Sequence, residues 1–210
     1  RLVARGHMTE VPAVMMYASI VSCESVRIAL TVAALNDLDV MTSDIQNAYL
    51  TAPCEERIWT TLGPEFGTAQ GQKALIIQAL YGLKSAGGSF GQHLADCMRH
   101  LGYEPCRADS DLWYKPMVQP DDGLEYYAYM LLYIDDALSI SHDPASALWE
   151  LDKYFKMKAG SIAKPDIYLG AKLRQVQLDN GVHAWAMSAS KYVQESINNC
   201  AAYLAQNFGG

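Results

Sequence analysis

Two apolar, β-prone runs separated only by two adjacent aspartates constrain the fold of this chain more than any other feature. The runs cover residues 126–134 and 137–140, and Asp135-Asp136 lies between them. Two strands joined at a two-residue acidic turn are the natural interpretation. The neighbouring carboxylates repel each other, and their apolar flanks draw them towards a low-dielectric environment. The chain must therefore keep this turn in solvent or compensate its charge.

The composition of the 210-residue chain is that of a globular protein, with 50% apolar and 19% charged residues. Its apolar runs are far shorter than the roughly 20 residues that span a bilayer, so we expect no membrane-spanning segment and no membrane partner. Five scattered cysteines without a CxxC pair argue against a zinc site and suit reduced thiols inside a cell. The net charge of −7 argues against a surface that binds nucleic acid throughout.

Local patterns predict an α+β fold with a largely antiparallel sheet. Ser22 can cap a helix over residues 24–38, and a strand over residues 38–45 ends near Asp44. Asp179-Asn180-Gly181 predicts a hairpin turn. The other predicted elements are strands over residues 57–62, 74–80, 167–177 and 182–187, and helices over residues 89–101, from Pro144 to about residue 155, and from Ser188 or Ser190 to about residue 205.

Asp44, Asp135 and Asp136 are the candidate metal ligands. If the strand that ends at Asp44 neighbours the acidic turn in one sheet, Asp44 and Asp135 can face each other. They then form a cradle for two metal ions about 3.5–4 Å apart, the arrangement used for in-line phosphoryl transfer. Mg²⁺ prefers such hard oxygen ligands. The spacing alone leaves open an ordinary hairpin turn whose two carboxylates are solvated.

The motifs of this chain, taken in order, resemble those of copia-type retrotransposon reverse transcriptases. Residues 133–136 (YIDD) are similar to the YxDD box of reverse transcriptases, which by itself is a moderately specific signal. The resemblance extends from residue 1 to about residue 200. The other matching segments are residues 1–6 (RLVARG), 44–50 (DIQNAYL), 80–84 (LYGLK), 101–103 (LGY), 109–112 (DSDL), 168–170 (YLG) and 190–192 (SKY).

This resemblance implies an RNA-directed DNA polymerase that adds dNTPs to a primer 3′-hydroxyl. Asp44, Asp135 and Asp136 would be its catalytic carboxylates, and they would bind two Mg²⁺ ions, or Mn²⁺, with the Ile45 carbonyl as a further ligand. The implied partners are an RNA template, a DNA primer, and the ribonuclease H and integrase parts of a parent polyprotein. The implied location is intracellular, in the cytoplasm, within a virus-like particle of the element.

The resemblance also implies a nucleotide pocket at Asn47, Ala48, Tyr49, Tyr81 and Gly82. A rigid ring at Tyr49 would leave no room for a ribose 2′-hydroxyl, although an ordinary core aromatic is the alternative. Glycine at position 82 would let the backbone approach the nucleotide closely.

Contacts to nucleic acid are implied for Lys84, Tyr133, Leu169 and Gly170. Lys84 faces the template backbone or solvent in this interpretation, and Leu169-Gly170 with the following hairpin resembles a primer grip. The first residues add two cations: Arg1 and Arg5 face the triphosphate or are solvated.

The fold implied by the resemblance is the palm of a right-hand polymerase with partial fingers, an antiparallel sheet packed on helices, and the YxDD hairpin. Residues 1–38 and about 51–80 would be partial fingers, and residues 39–50 and 81–165 the palm. Residues 166–187 would form the primer-grip-like hairpin and residues 188–210 a C-terminal helix.

Residues 85–90 (SAGGSF) depart from the family pattern, because they lack its proline and arginine. Gly87 and Gly88 are expected to loosen the turn there. The departure keeps open an alternative class, a decayed or domesticated relative that binds nucleic acid or protein without catalysis. A further alternative is another two-metal phosphotransfer enzyme with a similar acidic turn.

Overall fold

A five-stranded antiparallel sheet organises the computed structural model, which describes residues 3–9, 11–12, 19–119 and 121–208. Arg1 lies outside the described residues. The strands are β1 (Asp39–Asp44), β2 (Trp59–Thr61), β3 (Lys73–Leu75), β4 (Glu104–Pro105), β5 (Leu112–Val118), β6 (Glu125–Tyr133), β7 (Asp136–Ser141), β8 (Ile167–Tyr168), β9 (Ala171–Gln177) and β10 (His183–Ser188). The helices are α1 (Cys23–Leu35), α2 (Ala48–Thr51), α3 (Ala86–His100), α4 (Pro144–Asp152) and α5 (Ser190–Phe208), with 3₁₀ turns at Gly6–Met8 and Pro64–Ala69.

The main sheet has the strand order β1-β7-β6-β5-β4. Its centre is the β6–β7 hairpin, and β1 joins β7 in antiparallel register from Asp39↔Ser141 to Asp44↔Asp136. Strands β8 to β10 form a separate sheet in the order β10-β9-β8, and β2 pairs with β3. The α+β class with antiparallel sheets is therefore confirmed.

Capping side chains define where two helices begin. The Ser22 hydroxyl accepts a hydrogen bond from the Ser25 N–H at the start of α1. The Asp143 carboxylate accepts from the Ser146 N–H at the start of α4, where Pro144 occupies the first helical position. None of the described helices is both long and apolar enough to cross a membrane.

The centre of the sheet is buried on both faces, which explains the continuous apolar run in β6. Successive side chains of a strand point to opposite faces. Met130 and Leu132 face a core formed with α3 and α4, whereas Leu131 faces a second core formed with α1 and the β8–β10 sheet. The first core includes Phe90, Met98, Leu148, Leu151 and Phe155, and the second includes Val26, Leu30, Leu138, Ile140 and Tyr168.

Several predicted boundaries are wrong, each for a structural reason. Helix α3 begins at Ala86 rather than residue 89 and includes Gly87 and Gly88, which lie in helix and not in a loose turn. The burial of Ala86 and Phe90 overrides the low helix propensity of glycine. The predicted strand over residues 74–80 ends at Leu75, since the next residues bond irregularly with residues 52–58.

The predicted strand over residues 167–177 is interrupted by a turn. Tyr168 pairs with Ala171, so Leu169 and Gly170 form a two-residue loop in which both residues have positive φ, 51° and 72°. Positive φ at both central residues matches a type I′ hairpin. The hairpin predicted around Asn180-Gly181 is confirmed between β9 and β10.

We predict that Tyr168→Phe destabilises the protein by about 1 kcal/mol, because the buried Tyr168 hydroxyl donates to the Leu131 carbonyl at 3.2 Å. Urea denaturation measures the change. The exposed Tyr192 supplies a control, since Tyr192→Phe should change the unfolding free energy by less than about 0.5 kcal/mol. Equal effects of the two substitutions would contradict the assigned role of the hydroxyl.

Candidate active site

The acidic turn lies one residue earlier than the sequence suggests. Tyr133 pairs with Asp136, so the loop consists of Ile134 and Asp135, and Asp136 is the first residue of β7. Ile134 has a φ of 56°. A β-branched residue rarely adopts this left-handed conformation, which stores strain of roughly 1–3 kcal/mol. The loop is therefore a strained element beside the candidate ligands.

The β1–β7 register decides which carboxylate lies opposite Asp44. Asp136 occupies that position, whereas Asp135 was expected there. Directly opposed residues of an antiparallel pair share one face, with Cβ atoms roughly 4.5–5.5 Å apart. Asp135 is held in the turn instead, where its carbonyl accepts a 2.7 Å hydrogen bond from the Ile45 N–H. The end of β1 and the turn are thus joined through the backbone.

The pKa of the Asp136 carboxyl is shifted in this environment. Its pKa is raised from 3.8 to about 6, mainly by burial and then by the negative charges of Asp135 and Asp44, while Lys158 acts in the opposite direction. Asp135 and Asp44 therefore lie close enough to Asp136 to oppose its ionisation.

Lys158 and Ser161 belong to the site, although sequence reasoning missed both. The Lys158 ammonium lies 3.3 Å from Asp44 Oδ2, and the Lys158 N–H donates to the Asp44 carbonyl at 2.8 Å. The Asp44 N–H donates to Ser161 Oγ at 3.2 Å. These contacts arise because residues 156–163 run along β1, with bridges Ile45↔Met157 and Thr42↔Ala163. No local pattern marks that pairing.

The three carboxylates do not form a ready-made metal cluster. Across the part of the chain that the structure describes, no group of three or more His, Cys, Asp or Glu side chains is placed to hold a metal ion. The expected ligand Ile45 is 1% exposed, and its N–H and its bridge to Met157 tie it into the backbone. The geometry thus provides two opposed carboxylates, a third in the adjacent turn, and a lysine as counter-ion.

The candidate nucleotide-pocket residues lie close together. The ring centroids of Tyr49 and Tyr81 are 4.8 Å apart, and that of Tyr49 is 6.0 Å from Phe90. Asn47 has a φ of 54° and precedes α2, while Ala48 is 1% exposed and belongs to the first core. Ala48 can therefore offer little surface to a ligand, whereas Asn47 and Gly82 are exposed and the two tyrosines are half-buried.

Residues 3–9 are packed against the segment that contains Gly82. The Ala4 N–H donates to the Tyr81 carbonyl at 2.7 Å, and the Lys84 ammonium donates to the Thr9 carbonyl at 2.7 Å. A Cβ at Gly6 would overlap the Gly82 carbonyl oxygen. This close approach requires glycine, and it ties the first described residues to the candidate pocket.

The β8–β9 turn approaches the same end of the sheet. Leu169 and Tyr133 pack, half-buried, against the second core, and the Tyr168 hydroxyl bonds to the Leu131 carbonyl of β6. Burial raises the pKa of Tyr168, and the nearby Asp136 raises it further. The residues expected to contact a primer therefore lie close to the hairpin that carries the carboxylates.

We expect Gly82→Ala to destabilise the protein more than Gly123→Ala. Both glycines have positive φ, 93° and 73°, where an L-residue costs about 1–2 kcal/mol. At Gly82 the new Cβ would also overlap the backbone carbonyl oxygen of Ala4. At Gly123 it would enter open space. Chemical denaturation of both variants isolates the overlap, and equal losses would show that residues 3–9 are not packed as described.

The pKa of Asp136 predicts a pH dependence for the protein in the absence of divalent cations. Between about pH 4 and pH 6 the folded state binds more protons at Asp136 than the unfolded state, so stability should fall as pH rises through this window. Asp136→Asn should reduce that fall, and Asp179→Asn, in an exposed turn, should leave it unchanged. Denaturation at a series of pH values measures the slopes, and parallel curves for wild type and Asp136→Asn would refute the assignment.

Comparisons with known proteins agree with these motifs. A family model described as "Reverse transcriptase (RNA-dependent DNA polymerase)" matches residues 1–205. The "Retrovirus-related Pol polyprotein from transposon TNT 1-94" of Nicotiana tabacum is 26% identical over 188 residues, which cover 87% of this chain and 13% of that protein. The "Retrovirus-related Pol polyprotein from transposon RE1" of Arabidopsis thaliana is 24% identical over 204 residues, which cover 94% of this chain. The chain spans 13% of the length of each relative. It belongs to the reverse transcriptase family, as a domain of the copia type.

Proposed function

We propose that this chain carries the RNA-directed DNA polymerase centre of a copia-type retrotransposon, which adds dNTPs to a primer 3′-hydroxyl on an RNA or DNA template. The observation that carries the proposal is the register Asp44↔Asp136, which opposes two carboxylates beside Asp135. Membership of the reverse transcriptase family supports the same activity.

The donor set fits Mg²⁺, with Mn²⁺ as a substitute. Asp44, Asp135 and Asp136 offer the hard carboxylate oxygens that Mg²⁺ prefers, and the Ile45 carbonyl is a further ligand in this proposal. The raised pKa of Asp136 supports the fit, because a cation would stabilise this buried carboxylate beside the charges of Asp135 and Asp44. Two bound ions would supply charge neutralisation at the primer hydroxyl and the nucleotide phosphates. Enclosing them with all three carboxylates requires side-chain rotation.

The chain's own residues bind and orient the nucleotide. The packed rings of Tyr49 and Tyr81 form a wall against the sugar, and the rigid Tyr49 ring excludes a ribose 2′-hydroxyl. Gly82 lets the backbone approach the nucleotide closely, and residues 3–9 hold that segment in place. The exposed Asn47 adds to this wall, and the buried Ala48 supports it from the first core.

The nucleic acid lies across the same end of the sheet in this proposal. Tyr133, with Leu169 and Gly170 in the β8–β9 turn, supports the primer terminus, and residues 166–187 act as a primer grip. The Lys84 ammonium donates a hydrogen bond to the Thr9 carbonyl and so holds the segment around Thr9. In this proposal the positive charge of Lys84 also faces the template. Arg5 adds a cation for the triphosphate.

We assign residues 39–50 and 81–165 to a palm, and residues up to 38 and about 51–80 to partial fingers. The relatives are named as Pol polyproteins, and this supports a parent polyprotein with further parts. The ribonuclease H and integrase parts, the RNA template and the DNA primer are the partners that we propose. The cytoplasmic virus-like particle of the element is the proposed location.

Primer extension on homopolymeric RNA with Mg²⁺ or Mn²⁺ tests this function. Asp135→Asn should lower the extension rate about 100-fold or more, because it removes a charge that is preorganised at the reacting groups. Asp179→Asn, an exposed turn substitution in the β9–β10 hairpin, should leave the rate unchanged.

The assay uses the chain within a polyprotein segment that extends beyond both of its ends, so that all parts of the polymerase are present. Extension that survives Asp135→Asn would assign the activity to another centre. Absence of extension by the wild-type segment would favour the alternative, a non-catalytic relative that retains the fold as a binding module.

A further inference from the structure

Helix α5 differs from α1, α3 and α4, because none of its residues is buried. Those three helices each contribute side chains to one of the two hydrophobic cores. Within the described part of the chain, α5 contacts β9 but adds no side chain to either core. Helices in proteins are stabilised chiefly by the packing of an apolar face and much less by helix propensity. Helix α5 therefore needs a partner that covers such a face.

A row of apolar side chains runs along one side of α5. Val193, Ile197, Cys200 and Leu204 follow one another at intervals of four, three and four residues, and Phe208 comes four residues later. Val193, Ile197 and Leu204 are 52%, 54% and 55% exposed. We call these five residues the α5 stripe. Their spacing is that of a seam through which one helix packs against another.

The charge of α5 argues against a nucleic acid or a membrane as the partner. Its charged residues are Lys191 and Glu195, whose side chains lie 4.0 Å apart, so the helix carries no net charge. A helix that binds a phosphate backbone uses several lysines or arginines to neutralise it. A helix that lies on an anionic membrane is likewise rich in these residues on its polar face. The stripe therefore fits another protein helix.

The size of the stripe favours a partner within the same polypeptide. A stable interface between separate proteins involves roughly 20–30 residues on each side, whereas the stripe has five. A segment that is joined to α5 by a short connection is present at a millimolar effective concentration, so a small contact is enough to hold it. This chain covers 13% of each polyprotein relative, and a polyprotein of that length supplies such a segment.

We propose that the α5 stripe is the docking surface for an amphipathic helix from the part of the parent polyprotein that follows this chain. The inference rests on the proposed function, of which it uses only the parent polyprotein. The docked helix lies along α5, and its apolar side chains insert between those of the stripe. Only Ala189 separates α5 from β10, so the docked segment is fixed to the sheet whose β8–β9 turn approaches the candidate carboxylates.

Amide hydrogen exchange tests the docking by comparing the 210-residue chain with a polyprotein segment that continues beyond residue 210. The amides of residues 194–208 should exchange about 100-fold more slowly in the longer segment, because covering the stripe opposes local opening of α5. The amides of β6, whose central residues are buried, serve as the internal reference. Equal exchange of α5 in the two proteins would overturn the proposal.

Two matched substitutions identify the face of α5 that is covered. Ile197→Asp places a charge in the stripe, whereas Asn198→Asp places the same charge away from it and keeps the oxygen that accepts from Gln194 Nε2. In the longer segment, Ile197→Asp should abolish the protection of α5 and lower the Tm, and Asn198→Asp should change neither. In the 210-residue chain both substitutions should be neutral, since Ile197 is already exposed.

A milder variant keeps the test decisive if Ile197→Asp prevents folding of the longer segment. Leu204→Ala only truncates the contact, and it should reduce the protection of α5 about 10-fold or more. Equal effects of Leu204→Ala and Asn198→Asp on the protection in the longer segment would contradict the assignment of the stripe.

The remaining outcomes identify other occupants. Sedimentation that shows a dimer of the 210-residue chain, dissociated by Ile197→Asp, would assign the stripe to a second copy and overturn the proposal. Protection that appears only with an RNA–DNA duplex, or only with anionic vesicles, would overturn it as well.

Primer extension by the same longer segment separates this inference from the proposed polymerase activity. Protection of α5 without extension would support the docking surface and count against the polymerase activity. Extension with an unprotected α5 would refute the docking surface alone.

Discussion

The antiparallel pairing of β1 with β7 is the contact on which the candidate active site depends. It joins segments that are far apart in sequence, places Asp44 opposite Asp136, and lets the Ile45 N–H hold the Asp135 carbonyl. Like charges are thereby gathered at one end of a sheet whose two faces are buried. Burial of Asp136, and then these neighbouring charges, raises its pKa. Polar groups that destabilise a fold in this way are characteristic of functional sites.

The surrounding structure stabilises this arrangement, although the arrangement itself is energetically unfavourable. The positive φ of Ile134 and the repulsion among the carboxylates both oppose folding, and the two hydrophobic cores on either face of β6 and β7 offset them. Lys158 adds a counter-charge at Asp44. Packing on both faces of the hairpin keeps the backbone beneath the candidate carboxylates fixed.

Much of the fold could be predicted because its signals are local. Ser22 marks the start of α1, Asp143-Pro144 that of α4, and Asn180-Gly181 the last hairpin. Strand β5 was missed because it contains Pro116, which cannot donate to a ladder. The structure tolerates this proline because the short β4 pairs only with Trp113 and Tyr114 of β5. On the β4 side, Pro116 therefore faces no strand that would need its N–H.

The sequence by itself determined the family, the two strands around the acidic pair, and the identity of the candidate ligands, since motifs and periodicity are properties of neighbouring residues. Only the tertiary structure decided that Asp136 rather than Asp135 lies opposite Asp44, that Lys158 reaches that carboxylate, and that α5 leaves its apolar stripe exposed. The physical reason is that register and packing between distant segments are set by the burial of both partners together, which local propensity does not encode.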